Sequence, residues 1–361
     1  MRWYRREARD LPWRRDTDAY SVWVSEIMLQ QTRVDVATPY YLRWRAKFPT
    51  AQALAAADVE EVLQLWSGLG YYSRARNLHA AAKLVAAEGM PKTVAGLRDL
   101  PGIGDYTAGA IASIAFGERV PAVDGNVVRV LARLHAWPGA ASSPALKAKV
   151  NDAAASLVPA RAPGDWNQAL MDLGATVCTP RNPRCGACPV AAHCAARAQG
   201  SQDRIPAPKK ATAAPVERRA FAVVERAGRV LLVRNPAKGL LAGLWSLPGG
   251  LAARPLDELV LQQAGLAVRI EGSAATARHQ FSHRTWDMAV HRATVVAGAA
   301  AGPASVETAW VEVGELPGQA LPSAMRTALA IAGVGADAGA GPVGRAATVR
   351  KPKRRKGSGP S

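Results

Sequence analysis

All four cysteines of the chain fall between positions 178 and 194, as Cys178, Cys185, Cys188 and Cys194. Nothing else in the sequence restricts the fold as much. A disulfide framework spreads its cysteines across a small secreted domain, whereas this is one tight cluster in a chain of 361 residues. Six, two and five residues separate the four. Neither common ferredoxin spacing has that form, and only Cys185 and Cys188 make a C-x-x-C pair where a zinc ribbon needs two. A metal or cluster site is the better reading.

The chain is long enough for two domains with proper cores. Lysine and arginine number 46 against 28 aspartate and glutamate, a formal net charge of +18. Such an excess favours a polyanionic partner, and nucleic acid is the commonest. No run of eighteen apolar residues exists to span a membrane. Basic residues follow Met1 but no apolar core follows them, so no secretory signal is expected and the chain reads as cytoplasmic.

Residues 1–200 read as mostly helical, with Gly and Pro between the runs. After Asp58, a possible cap with Glu61 three residues on, Val59, Val62, Leu63 and Trp66 recur at helical spacing. Further helices are expected over 22–32, 107–116, 126–136 and 166–176. Residues 201–218 have linker composition. From there to 334 the texture is α+β: strands over 221–225 and 229–234 around a turn at Gly228, a turn-rich stretch over 245–250, a helix over 256–264 and a strand over 288–296. Residues 335–361 read as a disordered tail ending in a basic run, expected either to hold DNA loosely through charge or to be merely solvated.

Pro101, Gly102 and Gly104 make a tight turn between helical runs, exposing backbone N–H groups at the start of the next helix. That is a ready phosphate site, although such turns are often only turns. Followed by Tyr106-Thr107-Ala108, the segment resembles the helix-hairpin-helix element of DNA-repair glycosylases. Asp124 can cap the helix after it. In those enzymes an essential aspartate sits at that point, and breaking an N-glycosidic bond builds positive charge that a carboxylate stabilises.

The cysteine spacing matches the 4Fe–4S loop of the endonuclease III and MutY glycosylases, with Arg181, Arg184 and Arg197 available to face DNA. Tyr106 stands where the endonuclease III type carries a Schiff-base lysine. Tyrosine cannot form an imine, so a base should be removed and the strand left intact. Glu26 shares a helix face with Val22, Trp23 and Leu29; desolvation there would raise its pKa and keep it protonated as a general acid. The segment around it is similar to the MutY signature.

What the adenine glycosylase resemblance implies extends further. Trp13 and Arg14 fall at the adenine-pocket entrance and Gln168 at an adenine-contacting position. Tyr71 falls at a DNA-intercalating turn, with Gln31 and Thr32 in the space left by the extruded base. Asn126 and Tyr106 assist Asp124. The second domain resembles the Nudix-like domain with which adenine glycosylases read 8-oxoguanine, and Phe281-Ser282-His283 matches the reading loop. Gln262 and Gln263 stand where a working Nudix box needs glutamates, which argues against pyrophosphatase activity.

The expected fold is therefore a helix-hairpin-helix glycosylase with a 4Fe–4S cluster, followed by a Nudix-like domain. The expected protein is a bacterial, nucleoid-associated monomer acting on double-stranded DNA with adenine opposite 8-oxoguanine or guanine. Its rivals are a bifunctional pyrimidine glycosylase/lyase, a Nudix hydrolase and a non-catalytic iron–sulfur DNA-binding protein.

Overall fold

A computed structural model describes residues 1–208, 213–297 and 302–335. The basic run at 350–356 lies outside the described residues, as does Lys209-Lys210 of the expected linker. The chain divides into two compact units between residues 211 and 212, the turn 66–70 grouping with the second.

The first unit is helical. Its elements are α1 (Arg2–Glu7), α2 (Ala19–Leu29), α3 (Val34–Lys47), α4 (Ala51–Ala56), α5 (Val59–Trp66) and α6 (Ser73–Glu88). There follow α7 (Val94–Arg98), α8 (Asp105–Ala115), α9 (Gly125–Leu134), α10 (Pro144–Leu157), α11 (Pro163–Thr176) and the short α12 (Ala195–Ala198). α2 is apolar nearly all round and its residues from Tyr20 to Met28 are buried, as befits a central helix. Asp18 caps it, accepting from the Ser21 N–H at 3.0 Å. It starts before residue 22 and stops at Leu29, because Gln31 takes a φ of 57°, outside the helical range. Asp58 does accept from the Glu60 N–H, but Glu61 pairs with Lys47 at 2.6 Å and closes no capping box.

The expected linker is partly core. Ile205 is buried among α9 and α10 residues, and the Ala207 N–H donates to the Gly139 carbonyl at 2.8 Å. Its composition looked like a linker, but the hydrophobic Ile205 supplies a core anchor.

Among the described residues, the second unit is a mixed seven-stranded sheet with a helix on each face. β1 (Val216–Arg226), β2 (Arg229–Arg234), β3 (Trp245–Ser246), β4 (Gly249–Leu251), β5 (Val268–Gln280), β6 (Thr285–Val295) and β7 (Thr308–Glu312) run in the path β3-β2-β1-β6-β5, with β4 on β1 and β7 on β2. The β1–β6 pair is parallel, from Val216↔Thr285 to Val224↔Ala293. β1 alternates between the two faces. Phe221 and Val223 pack toward α14 (Ser323–Ile331), and Ala220, Ala222 and Val224 toward α13 (Leu256–Ala264). That is why its centre reads as one unbroken apolar run. Thus the turn-rich stretch over 245–250 holds two short strands, and the strand expected over 288–296 begins earlier, at Thr285.

Gly109 fixes how closely α8 approaches its neighbours, since a Cβ there would lie 2.3 Å from the Pro121 carbonyl oxygen. G109A should therefore destabilise the helical unit by about 1–3 kcal/mol, the usual cost of overpacking a tight core. Thermal unfolding of the variant checks this, and an unchanged midpoint would refute it.

Candidate active site

One cleft of about 1430 Å³ opens in the helical unit, and Trp13, Arg14, Glu26, Gln31, Thr32, Tyr106, Asp124, Asn126 and Gln168 all line it. Five stretches of chain, separated in sequence, thus converge on one space. Tyr71, Gly102 and Gly104 lie outside its lining.

α2 carries Glu26 into the cleft wall, where the residue is 7% exposed. The Tyr106 hydroxyl, from α8, donates to Glu26 Oε2 at 2.5 Å and also approaches Met171 Sδ at 3.7 Å. Burial pushes the Glu26 carboxyl up to about 7; the Tyr106 hydrogen bond and the Arg14 charge resist this, and the Asp124 charge adds to it. Tyr106 is itself raised well above its ordinary value by burial and then by Glu26, so it stays a neutral donor. Glu26 Oε1 accepts no hydrogen bond from the described residues, which leaves it as the atom to carry a proton into the cleft.

Asp124 caps α9. Its Oδ1 accepts from the Val127 N–H at 2.8 Å, and its Oδ2 from Asn126 Nδ2 at 2.6 Å. Burial raises its pKa against those two donors. Capping and a place in the cleft hold together, and Asn126 acts by orienting the carboxylate. Arg14 lines the cleft, but its guanidinium is committed to Asp172 at 2.7 and 2.9 Å, where Arg9 also binds. Burial pushes Asp172 up, yet the two arginines outweigh it and hold the carboxyl below its usual range. Trp13 is buried edge-on against Tyr41, 5.3 Å between centroids.

The hairpin between α7 and α8 leaves Gly102 and Gly104 exposed. Gly102 has φ 81°, and a Cβ there would meet Asn77 Cβ at 2.7 Å, so no other residue fits without strain. Tyr71 is 40% exposed.

The four thiols sit on turns after α11. They interact electrostatically with one another, and burial pushes Cys185 and Cys188 up. Among the described residues no three His, Cys, Asp or Glu side chains close on a single ion. Four neighbouring thiols suit an iron–sulfur cluster, which is held by cysteine thiolates. Arg133 supports that use, donating to Cys178 Sγ at 3.3 Å and to the Thr179 carbonyl at 2.7 Å.

Arg74, Arg129, Arg133 and Asp172 were not singled out from the sequence. The signal was there for the last three. Each is a charge inside an otherwise apolar helical run, where a buried partner is required.

In the second unit Ser282 and His283 are exposed between β5 and β6, with Ser282 Oγ 3.3 Å from His283 Nδ1. Phe281, expected to lie beside a base, instead packs on Trp286 and His279, each 4.7 Å between centroids. A separate cavity of about 280 Å³ in this unit is lined by Gln262, Gln263 and Arg219 among others, with no carboxylate in its lining. Gln263 holds β4 by exchanging two hydrogen bonds with the Gly249 backbone, at 2.8 and 2.9 Å.

Residues 24–155 match the HhH-GPD superfamily base excision DNA repair proteins, 178–194 the iron–sulfur binding domain of endonuclease III and 219–330 the NUDIX domain. The chain is 36% identical to the adenine DNA glycosylase of Buchnera aphidicola subsp. Schizaphis graminum, over 69% of this chain and 73% of that one. It is 44% identical to the Homo sapiens adenine DNA glycosylase, over 69% of this chain and 56% of that one. It therefore spans little more than half the length of the human relative. A thermostable thymine-DNA glycosylase structure superposes with a TM-score of 0.50 at 27% identity, covering 55% of this chain and 93% of that one.

Burial of Glu26 makes a stability prediction. The folded chain keeps this proton up to about pH 7, while an unfolded glutamate loses it near 4.5. The folded state thus binds more protons across that window, so this contribution is complete below it and is lost as pH rises through it. E26Q removes the cost of the buried charge. It should unfold later than the parent at pH 8, by about 1–3 kcal/mol, and show little gain near pH 5. A variant no more stable than the parent at pH 8 would contradict the buried acid.

Proposed function

This chain belongs to the adenine DNA glycosylases, and from that premise we propose that it flips adenine, mispaired with 8-oxoguanine or guanine, out of a DNA duplex and hydrolyses its N-glycosidic bond. The observation that carries the reading is the buried pair of Glu26 and Tyr106 sharing a cleft with Asp124.

Adenine leaves poorly as an anion. Glu26, neutral up to about pH 7, gives its proton to a ring nitrogen as the bond to the sugar breaks and the electron pair goes to the base. Positive charge then builds on the deoxyribose, and the Asp124 carboxylate, fixed by Val127 and Asn126, stabilises it. Water adds at the anomeric carbon and its proton returns to Glu26. Trp13 and Gln168 frame the base; Arg14, tied to Asp172, holds the wall and tempers the Glu26 pKa.

The product is an intact strand with an abasic site, because Tyr106 offers no amine. Lys147 also lines the cleft, but from an exposed position on α10. The hairpin glycines present backbone N–H groups to phosphate, and Tyr71 serves as the wedge. Cys178, Cys185, Cys188 and Cys194 would hold a 4Fe–4S cluster, which would cross-link this DNA-facing loop. The protein acts as a monomer. The second domain reads the partner base with Ser282 and His283, Phe281 serving to anchor their loop. The amides Gln262 and Gln263 cannot supply the metal-binding charge of a pyrophosphatase.

Single-turnover assays on duplexes with adenine opposite 8-oxoguanine test the chemistry. Free adenine should appear, with strand breaks only after alkali, and release should slow as pH rises through about 7. E26Q should lower the rate about 10²–10⁴-fold while duplex binding survives. Breaks without alkali, with borohydride trapping of the unmodified protein, would favour a lyase instead.

Oxidation at C8 turns guanine N7 from an acceptor into an N–H donor, for which the Ser282 hydroxyl is a suitable acceptor. S282A combined with H283A should cut the preference for 8-oxoguanine over guanine by about 1–3 kcal/mol, leaving cleavage opposite guanine mostly intact. Equal losses on both substrates would limit this domain to affinity.

A further inference from the structure

A helix that presents an acid at a fixed depth must be held at its C-terminal end, where the last carbonyls have no partners within the helix. For α2 the partner is Arg74, from the first turn of α6. Its Nη1 donates to the carbonyls of Ile27 at 2.8 Å, Met28 at 3.0 Å and Gln30 at 2.5 Å, and its Nη2 to Thr32 Oγ1 at 3.3 Å. Gln30 in turn donates from Nε2 to Thr107 Oγ1 at 3.2 Å, next to Tyr106. The same guanidinium lies 5.4 Å from the centre of the Tyr71 ring. Tyr71 is exposed, and its φ of 48° is one that few non-glycine residues adopt. One buried cation therefore touches an exposed aromatic on one side. On the other it holds the backbone that carries Glu26 and the segment Gln31-Thr32.

We infer that Arg74 is a positioning residue that couples insertion of the Tyr71 ring into a base stack to the placement of Glu26 in the cleft. The inference rests on the glycosylase reading above. A guanidinium suits this task because it can sit over an aromatic ring while its N–H groups donate to several carbonyls at once. It cannot follow the ring out of place without stranding those carbonyls in a buried setting, so displacement of the ring is passed to the end of α2. Burial pulls the Arg74 pKa down to about 10, which still leaves the side chain charged at neutral pH. An ammonium has neither the flat face nor the fork, so lysine keeps the charge and loses the coupling.

The experiment is a double-mutant cycle on the full chain with R74K and Y71A, read as the single-turnover rate of adenine release at saturating duplex. Thermal unfolding and iron content serve as controls for folding. Misplacing a reacting group by an ångström costs about 100-fold in rate, so R74K should lose rate on that scale while duplex affinity changes little. Y71A should lower the rate in the parent and have little further effect in the R74K background. Losses that multiply, or R74K at the parent rate, would overturn the inference. If R74K does not fold, Y71A alone decides through the pH profile: coupling shifts the limb near pH 7, and an unshifted limb rejects it. No adenine release by the unmodified chain from any such duplex would instead reject the glycosylase reading itself.

Discussion

Glu26 occupies a place where a carboxylate is unstable, and much of the helical unit serves to keep it there. Without burial its proton would be gone well below neutral pH; with burial alone the group would be an unpaired polar liability. Tyr106 resolves this by donating to one oxygen, and a tyrosine so buried has no tendency to ionise. Asp18 and Arg74 fix the two ends of α2, so the acid sits on a helix whose position is set from both directions.

α9 joins Asp124 to the cysteine loop. Asp124 begins the helix, and Arg129, one turn in, donates to Asn126 Oδ1, to the Gly174 carbonyl and to the Cys178 carbonyl. Arg133, one turn further, reaches the Cys178 sulfur and the Ile205 carbonyl. Gly174 allows α11 to come this close, since a Cβ there would lie 2.5 Å from Asn126 Cβ. Loss of order in the cysteine loop would therefore be felt at Asp124 through two arginines of one helix face.

The second unit is a sheet covered by a helix on each side, and α13 also braces one of its strands. Gln263, which lines the cavity of this unit, makes a pair of backbone hydrogen bonds to Gly249. That uncharged amide holds the strand β4 in place. The loop that exposes Ser282 and His283 is pinned by Phe281 against Trp286.

Much of this was legible in the sequence because it depends on local chemistry. The cysteine spacing, the glycines of the hairpin and the capping Asp124 each carry their meaning within a few residues. Periodicity placed α8, α9, α11 and α13 to within a few residues, since apolar spacing and caps decide such helices. Other features required partners distant in the chain. Asp172 has a role only because Arg9 and Arg14, more than 150 positions earlier, fold onto it. The linker-like segment became core because Ile205 found a pocket beside α9, and Phe281 turned inward because Trp286 stands across the hairpin. The sequence by itself determined which groups could donate, accept or ligate. Only the tertiary structure decided which of them are dry and paired, because burial and long-range hydrogen bonds set a carboxyl's proton affinity, and those belong to the packed chain.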